Sequence, residues 1–319
     1  MTLDPTTKLV ADIVFGYTLE RVERLQSTGT KLAHYTTADV AAQILLKKNV
    51  WMRNASSMND YMEISFGRNC LLNALEQRRD RLSAVVNGIS PNLLEETLDW
   101  MGRADFNHQN HTHLTCLTEH EHSDELGQLS MWRAYGGPVA GIALIFNTYF
   151  LDFDSNELAS WSSPVVYGEQ EYLTQFDSLI ARLEASQAVL QSVPPKTLKS
   201  LLFNALQFSI LSAKHVGFRE EREWRIIHGP RELSSAFVQS SFENIRGKPE
   251  VVYHLPLENM IGMEFEGLEL TKLLHKVIVG PCQNPYQVAS TFADILLSCG
   301  FENPAELIRV SLIPLRQQG

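Results

Sequence analysis

The chain has 319 residues, of which 44% are hydrophobic, 20% charged and 9% aromatic. This composition supplies enough apolar side chains for a large core and excludes disordered, collagen-like and coiled-coil chains. Acidic residues outnumber basic ones by 37 to 27, which gives a formal net charge of −10. Such a chain is a poor candidate for coating nucleic acid, because that function needs clustered Lys and Arg to displace counterions. Local basic clusters that hold one phosphorylated small molecule are still compatible with it.

The cysteines and the apolar pattern predict a cytoplasmic protein. The four cysteines lie far apart and form no C-x-x-C pair, which disfavours a disulfide scaffold and a thiolate zinc site. The N-terminus shows no basic segment followed by an apolar run, so we expect no signal peptide. No stretch reaches the ~20 apolar residues of a membrane span. The cysteines are Cys70, Cys116, Cys282 and Cys299.

Helical periodicity dominates the first hundred residues. Gly29 is a stop signal for the first helix, and Thr36 or Thr37 is a suitable N-cap for the second. The elements predicted here are helices over 6–27, 37–48, about 61–86 and roughly 91–103, and short strands over 32–36 and 50–53.

From residue 113 the pattern changes to strand-like alternation. Gly136 and Gly137 end a short helix, and Pro194-Pro195 separates two long ones. The predicted strands cover 113–118, 139–146, 163–167, 224–228, 251–255, 260–265, 276–279 and 308–313, and the predicted helices cover 128–135, 170–190, 195–215 and 286–298.

Interleaved strands and unevenly placed helices predict an α+β fold with a central, mainly antiparallel sheet and helical insertions. We interpret residues 1–319 as a single domain. It begins with an N-terminal helix over 1–30 and carries helical insertions at 60–104 and 170–215. The sequence contains neither G-x-G-x-x-G nor G-x-x-x-x-G-K-[ST], so the usual Rossmann and P-loop nucleotide sites are not supported.

Two polar clusters lie in the first third of the chain. On a strand, His34 and Thr36 share one face, and such a histidine more often has a structural role than a functional one. The second cluster consists of Asn54, Asn59, Asp60 and Glu63. Turn and helix-cap chemistry explains these residues, with a secondary role at a cleft edge as the alternative.

A third cluster contains Trp132, Arg133 and Tyr135. Trp132 and Tyr135 lie three residues apart, so they share a face of a helix. Core packing explains this pair. A stacking platform for a flat heteroaromatic ring explains it equally well, with Arg133 available to a phosphate or carboxylate.

The densest charge run leads into the strand predicted at 224–228. If that strand begins near Glu221, then Glu221, Glu223 and Arg225 lie on one face and Trp224 on the other. A solvated face with internal ion pairs is one interpretation. Two glutamates facing the same way repel each other, however, so a cleft that polarises hydroxyl groups or stabilises a cation is the alternative.

Metal and serine-hydrolase chemistry have little support in the sequence. Five of the ten histidines lie between 108 and 122, but they form no H-x-x-x-H or H-E-x-x-H motif and they span a predicted loop. Solvated loop chemistry is the simpler explanation, so we predict no metal site. No G-x-S-x-G elbow occurs either.

The clusters in this order resemble a bacterial family known as domain of unknown function 2971. The resemblance covers about residues 30–230. It is carried by His34-Tyr35-Thr36, Trp51 with Asn54, Asn59-Asp60 with Glu63, Cys116 to Glu119, Trp132-Arg133 with Tyr135-Gly136, and Glu221 to Arg225.

More distantly, the layout resembles ADP-ribosyltransferases of the His-Tyr-Glu type, which have a split sheet and use NAD as a substrate. The resemblance implies that His34 holds the nicotinamide ribose. It also implies that Glu223 stabilises the oxocarbenium-like transition state and that Glu221 orients the acceptor. The remaining NAD-binding candidates are Tyr35, Thr36, Arg53, Trp132, Arg133, Tyr135 and Arg225.

The leading hypothesis is therefore an NAD-dependent ADP-ribosyltransferase, or an NAD glycohydrolase if water replaces the acceptor. By analogy it acts as a toxin or an anti-phage effector. The expected partners are NAD and a protein or nucleic-acid acceptor, with no membrane. A non-catalytic nucleotide-sensing or protein-interaction module is the alternative. A nuclease or phosphodiesterase that uses His34 is a weaker one.

Overall fold

The computed structural model describes residues 4–57, 63–109, 111–151, 157–231, 234–245 and 247–314. Within these ranges the fold is α+β, with a mixed, mostly antiparallel sheet and many helices. This confirms the predicted α+β class and the mainly antiparallel sheet. No helix in the described residues is both long and apolar enough to cross a membrane.

Helices make up most of the first half of the chain and recur between the later strands. They are α1 (Pro5–Val14), α2 (Gly16–Thr28), α3 (Ala38–Lys47), α4 (Glu63–Ile89), α5 (Leu93–Gln109), α6 (Leu129–Tyr135), α7 (Glu169–Ala185), α8 (Gln187–Leu190), α9 (Pro195–Leu211), α10 (Leu270–Leu273), α11 (Pro285–Ser298) and α12 (Pro304–Leu307).

The N-terminal helix predicted over 1–30 is two helices that meet at Phe15. The break has a tertiary cause. The Arg182 Nε donates a 2.9 Å hydrogen bond to the carbonyl oxygen of Ile13, which a continuous helix would use for its own ladder. A Cβ at Gly16 would lie 2.6 Å from the Arg182 Nε, so only glycine admits the guanidinium there. The end of α2 follows the sequence signal, since Gly29 has φ 68°.

The strands form one ten-stranded sheet and a separate two-stranded pair, β6–β7. They are β1 (Lys31–Thr37), β2 (Asn49–Asn54), β3 (His113–His120), β4 (Gly141–Phe146), β5 (Ser160–Pro164), β6 (Val166–Tyr167), β7 (Ala213–Lys214), β8 (Glu223–His228), β9 (Gln239–Ile245), β10 (Lys248–Pro256), β11 (Leu274–Val279) and β12 (Ile308–Val310). The main path runs β12-β11-β4-β1-β3-β2-β10-β9, and β8 pairs with β3 and β5. Every described pair in this sheet is antiparallel except β11 with β12.

Strand β3 joins two halves of the sheet. It pairs with β8 along residues 113–118. Because β8 occupies one edge of β3, both β1 and β2 must pair with the other edge. β1 does so at residues 118–120 and β2 at 113–114. Residues 115–117 have no pairing residue on that edge in the described part of the chain. We call this interval the sheet gap.

The two faces of the sheet have different contents. Directly opposed residues on neighbouring strands point to the same face. Leu117 opposes Trp224, and both belong to the largest apolar cluster. Thr118 opposes Glu223 on the other face. We call these the Trp224 face and the Glu223 face; α6 packs on the latter, where Trp132 contacts β1 at Tyr35.

The predicted insertions at 60–104 and 170–215 supply a second apolar core, in which α4, α5, α7 and α9 pack on each other. Leu82, Leu94, Ile180 and Leu206 are nearly inaccessible to solvent there. These helices therefore stabilise one another through their own apolar stripes rather than only through contact with the sheet.

Several predictions differ from the structure. The strand predicted at 163–167 is divided between β5 and β6, and β7 lies within the helix predicted at 195–215. Residues 260–265 are turns rather than a strand, because the Glu157 carboxylate accepts the backbone amides of Glu264 and Phe265 at 2.9 and 2.6 Å. Strand β9 is missing from the prediction, because its residues are mostly exposed and lack an apolar alternation. It is held by pairing with β10.

Candidate functional site

Strand β8 has two chemically opposite faces. Trp224 and Ile226 enter the apolar core of the Trp224 face. Glu223 and Arg225 point to the other face, where they are 5% and 3% exposed. Two charged residues so deeply buried require partners within the protein.

The Glu223 carboxylate has two cationic partners. Arg225 donates through Nε to Oε1 at 2.8 Å and through Nη2 to Oε2 at 3.1 Å. Lys214 Nζ donates to Oε2 at 3.0 Å. The bidentate contact with the guanidinium fixes the carboxylate plane as well as its charge.

Lys214 links this pair to a second carboxylate. Its Nζ donates to Glu221 Oε2 at 2.6 Å and lies 4.8 Å from the centre of the Phe218 ring. Glu221 ends a 3-10 helix, Val216–Glu221, and does not belong to β8. The two glutamates thus converge on one ammonium although only Glu223 lies on the strand. We call Lys214, Glu221, Glu223 and Arg225 the Glu223 cluster.

Three further groups form hydrogen bonds with residues of the cluster. The backbone amide of Glu223 donates to the Tyr167 hydroxyl at 2.7 Å, and the Cys116 side chain hydrogen-bonds the Glu223 carboxylate. Arg225 Nη1 donates to the carbonyl oxygen of Leu211 at the end of α9. Strands β3, β6, β7 and β8 and one helix terminus therefore hold the cluster rigidly.

Electrostatics keeps Glu223 ionised. Burial acts to raise the pKa of this carboxyl, but the charge and hydrogen bonds of Arg225 and the charge of Lys214 outweigh it and lower the pKa to about 2. Glu223 is therefore a fixed negative charge at neutral pH. It has the wrong pKa for proton transfer there.

Tyr135 lies at the accessible side of the Glu223 cluster. Burial raises the pKa of its phenol, and the nearby charge of Glu221 raises it further while that of Lys214 lowers it. Tyr135, Glu221 and Cys116 are each half-buried. Tyr135 and Cys116 thus border the Glu223 cluster, and Glu221 is its more exposed carboxylate.

Of the two interpretations of Trp132, its burial supports core packing rather than a stacking platform. It is 3% exposed, its Nε1 donates to the Leu126 carbonyl at 3.0 Å, and its ring meets Tyr35 edge-on with centroids 4.8 Å apart. A Cβ at Gly127 or Gly280 would lie 2.7 Å from the indole, so the ring fills the space that two glycines leave. A ligand cannot enter this packing.

Tyr35 is structural as well. Its hydroxyl accepts the backbone amide of Gln128 at 3.0 Å, which fixes the start of α6. Burial raises its pKa to about 12. The predicted contact of Tyr35 with NAD is therefore corrected to a helix-anchoring role.

His34 and Thr36 leave the sheet on the opposite side from Glu223. They alternate with Tyr35, and Leu117 and Trp224 continue their face across β3 and β8. The His34 Nδ1 lies 3.1 Å from the carbonyl oxygen of Cys116, so the imidazole satisfies a backbone group in the sheet gap. Burial lowers the pKa of His34. The structure does not bring His34 and Glu223 into one pocket.

The three arginines predicted to bind pyrophosphate do not converge. Arg53 Nη2 donates to both Glu250 carboxylate oxygens at 3.3 and 3.2 Å on β10. Arg225 is turned into the Glu223 cluster, and Arg133 is exposed on α6. Of the three, only Arg133 is exposed.

The asparagine cluster has turn chemistry where it is described. Asn54 Oδ1 accepts the backbone amide of Ser56 at 2.9 Å. Asn59 and Asp60 lie outside the described residues, and Glu63 is the first residue of α4. Among the described residues, no group of three His, Cys, Asp or Glu side chains is arranged to hold a metal ion.

Sequence reasoning missed Lys214 and Tyr167. Lys214 follows the end of α9 in the mixed segment Leu211 to Val216, whose sequence carries no clear signal for a buried lysine. Tyr167 gave no signal, because its hydroxyl reaches Glu223 only through the packing of β6 beside β8.

Comparison with known proteins supports the family resemblance. Residues 131–226 match the family described as Protein of unknown function (DUF2971). The matched segment runs from α6 into β8 and contains Tyr135 and the whole Glu223 cluster, while His34 lies outside it. No curated protein and no solved structure matches the chain.

Proposed function

We propose that this chain is an NAD-dependent ADP-ribosyltransferase, or an NAD glycohydrolase when water replaces the acceptor. The site is the Glu223 cluster with Tyr135 at its edge. The observation that carries the proposal is a buried carboxylate that stays ionised, Glu223, held beside a second and less buried carboxylate, Glu221.

The chemistry of the bond fits this arrangement. Breaking the glycosidic bond between nicotinamide and ribose leaves positive charge on the ribose carbon, and a fixed negative charge beside that carbon lowers the barrier. Nicotinamide leaves as a neutral molecule, so no strong acid is needed. A carboxylate with a pKa of about 2 suits the electrostatic role and not a proton-transfer role.

The remaining residues take roles according to their exposure. Glu221 is close to the surface and orients the attacking hydroxyl, from water or from a macromolecular acceptor. Tyr135 offers its ring to nicotinamide, and the exposed Arg133 meets the pyrophosphate. In this proposal His34 stabilises the sheet gap and does not hold NAD.

Release of nicotinamide from NAD tests the proposal directly. Glu223→Gln should lower the rate by about 100-fold, the usual cost of losing one transition-state electrostatic contact. Glu220→Gln is the matched control, because Glu220 is exposed and lies one residue outside the cluster. Circular dichroism must show that both variants are folded. Equal rates for wild type and Glu223→Gln, across water, protein and nucleic-acid acceptors, would contradict the proposal.

Glu221→Gln separates transfer from hydrolysis. If Glu221 orients the acceptor, this variant should lose transfer to a macromolecule more than it loses nicotinamide release. A toxin or anti-phage role adds an expectation in cells: expression of wild type slows bacterial growth, and expression of Glu223→Gln does not.

Charge balance favours a second candidate, a nucleotide-binding module without catalysis. The Glu223 cluster pairs two carboxylates with one lysine and one arginine, so it is neutral as a whole and already satisfied internally. Such a cluster can shape a pocket without reacting. This candidate predicts that NAD raises the melting temperature of the wild-type chain while nicotinamide release stays at background.

A further inference from the structure

A second group of basic side chains lies on the Glu223 face, at the end of the sheet where β1 and β11 begin and β3 ends. We call it the Lys276 corner. It consists of Lys31, His120, His122, His275 and Lys276.

Strand register brings this corner together. Lys31 is the cross-strand partner of His120. Lys276 opposes Ile145 on β4. From Ile145 the row of directly opposed residues crosses β1 and β3 and ends at Glu223 on β8, so Lys276 and Glu223 lie on the same face. Four strand steps separate Lys276 from Glu223 in that row, which is about 19 Å. The corner is therefore separate from the Glu223 cluster.

Lys276 is buried without an acidic partner. It is 8% exposed, and within the described part of the chain it forms no ion pair and no hydrogen bond. A lysine with so little exposure usually pairs with a carboxylate.

His120 is equally unusual. It is 2% exposed, and both ring nitrogens are buried without a hydrogen-bond partner. The closest carboxylate oxygen, Asp124 Oδ2, lies 3.7 Å from Nδ1, which is too long for a hydrogen bond. The buried imidazole of His120 is thus left unsatisfied by the protein.

Two further histidines and Lys31 lie around these two residues. The rings of His122 and His275 are 5.5 Å apart. Burial lowers the pKa of His275 to about 4, and the charges of Lys31 and Lys276 contribute to the same shift. The other charged groups near His120 are Asp124 and Arg222.

Arg222 is occupied, since its Nη1 donates to Glu121 at 2.6 Å. The nearby acids are Asp124, which acts on His120, and Glu121, which binds Arg222. Lys31 and Lys276 add positive charge to the corner and can attract an anion, although the chain as a whole carries a charge of −10.

We propose that the Lys276 corner binds a compact tetrahedral oxyanion, such as phosphate or the terminal phosphate of a monoester. Lys276 and His120 are the buried donors, and Lys31, His122 and His275 approach from the solvent side. An oxyanion supplies the several acceptor atoms that these donors lack. This site does not depend on the function proposed for the Glu223 cluster.

Isothermal titration calorimetry on the full chain tests the proposal, with inorganic phosphate and adenosine 5′-monophosphate as separate probes. Lys276→Met should weaken binding at least tenfold, the usual scale for one charge-assisted contact. Lys272→Met is the matched control, because Lys272 lies on α10 just before β11, is exposed and pairs with Glu269. Lys31→Met gives a second variant if Lys276→Met fails to fold.

Tighter binding of the nucleotide than of phosphate would identify a phosphomonoester as the ligand, and the reverse would identify the free oxyanion. Either result supports the site. Absence of binding by wild type, or equal affinity of wild type, Lys276→Met and Lys31→Met, would overturn it.

Sulfate supplies an independent readout, because its own charge does not change between about pH 4 and pH 8. Burial lowers the pKa of His275 to about 4, so this imidazole gains its proton only in acid, and sulfate should bind more tightly as the pH falls from about 6 towards 4. His275→Gln should reduce this slope and leave binding at pH 8 nearly unchanged. A flat pH profile in wild type would remove the histidines from the proposal.

Discussion

Two buried lysines on the same face of one sheet have opposite surroundings. Lys214 is 5% exposed and contacts two carboxylates, whereas Lys276 is 8% exposed and forms no ion pair with a described residue. The difference shows that burial of a charge does not by itself identify a functional group. Where the chain supplies the counter-charge, a lysine can hold a fold together. Where it does not, the missing partner points to a ligand.

The largest expected effect comes from removing the paired lysine. Lys214→Met should lower the free energy of unfolding by about 3–5 kcal/mol, because it leaves two buried carboxylates with one cation between them. Urea unfolding at neutral pH measures this change. A loss below about 1 kcal/mol would show that the Glu223 cluster is more hydrated than its burial indicates.

Low pH should remove the contribution of the same cluster to stability. The folded-state pKa of Glu223, about 2, lies below the ordinary value of 4.5, so its stabilisation is complete above pH 4.5 and is lost as the pH falls through about 2. This one group should contribute roughly 3 kcal/mol over that interval. Comparing unfolding of wild type and Glu223→Gln at pH 5 and pH 2.5 isolates it, because all other carboxyls are common to both. Parallel pH profiles would contradict the assignment.

The unpaired lysine should respond with the opposite sign. Lys276→Met removes a charge that forms no ion pair with a described residue, so in phosphate-free buffer it should raise the free energy of unfolding, by about 1 kcal/mol at most. Added phosphate should stabilise wild type and not the variant. Destabilisation by this substitution in the absence of anions would show that Lys276 already has a partner.

The smallest effect is expected at an exposed lysine. Lys272 forms an i,i+3 pair with Glu269 at 3.0 Å, and its side chain is 59% exposed. Lys272→Met should change stability by less than about 0.5 kcal/mol. A larger change would mean that methionine itself, and not the lost charge, affects stability in this part of the chain, and the Lys276 result would need correction for it.

Local patterns in the sequence determined much of the fold. Alternation assigned Trp224 to the core and Glu223 with Arg225 to the opposite face, since period two is a property of any strand. Gly29 and the Pro194-Pro195 pair ended or separated helices where predicted, because their backbone limits act within a few residues.

Features that depend on distant contacts were not predicted. The break at Phe15 needs Arg182, and the burial of Trp132 needs the space left by Gly127 and Gly280. A sequence pattern of one helix contains no information about a partner more than 100 residues away. For this reason the sequence left core packing and a stacking platform equally open for Trp132, and the structure places the residue in the core.

The candidate site was predicted only in part for the same reason. The sequence by itself determined that Glu221, Glu223 and Arg225 concentrate charge next to a strand. Only the tertiary structure decided that Lys214 joins them and that His34 points to the other face. Strand register decides whether residues on two different strands lie on the same face. Register is fixed by the packing of the whole sheet and not by either segment alone.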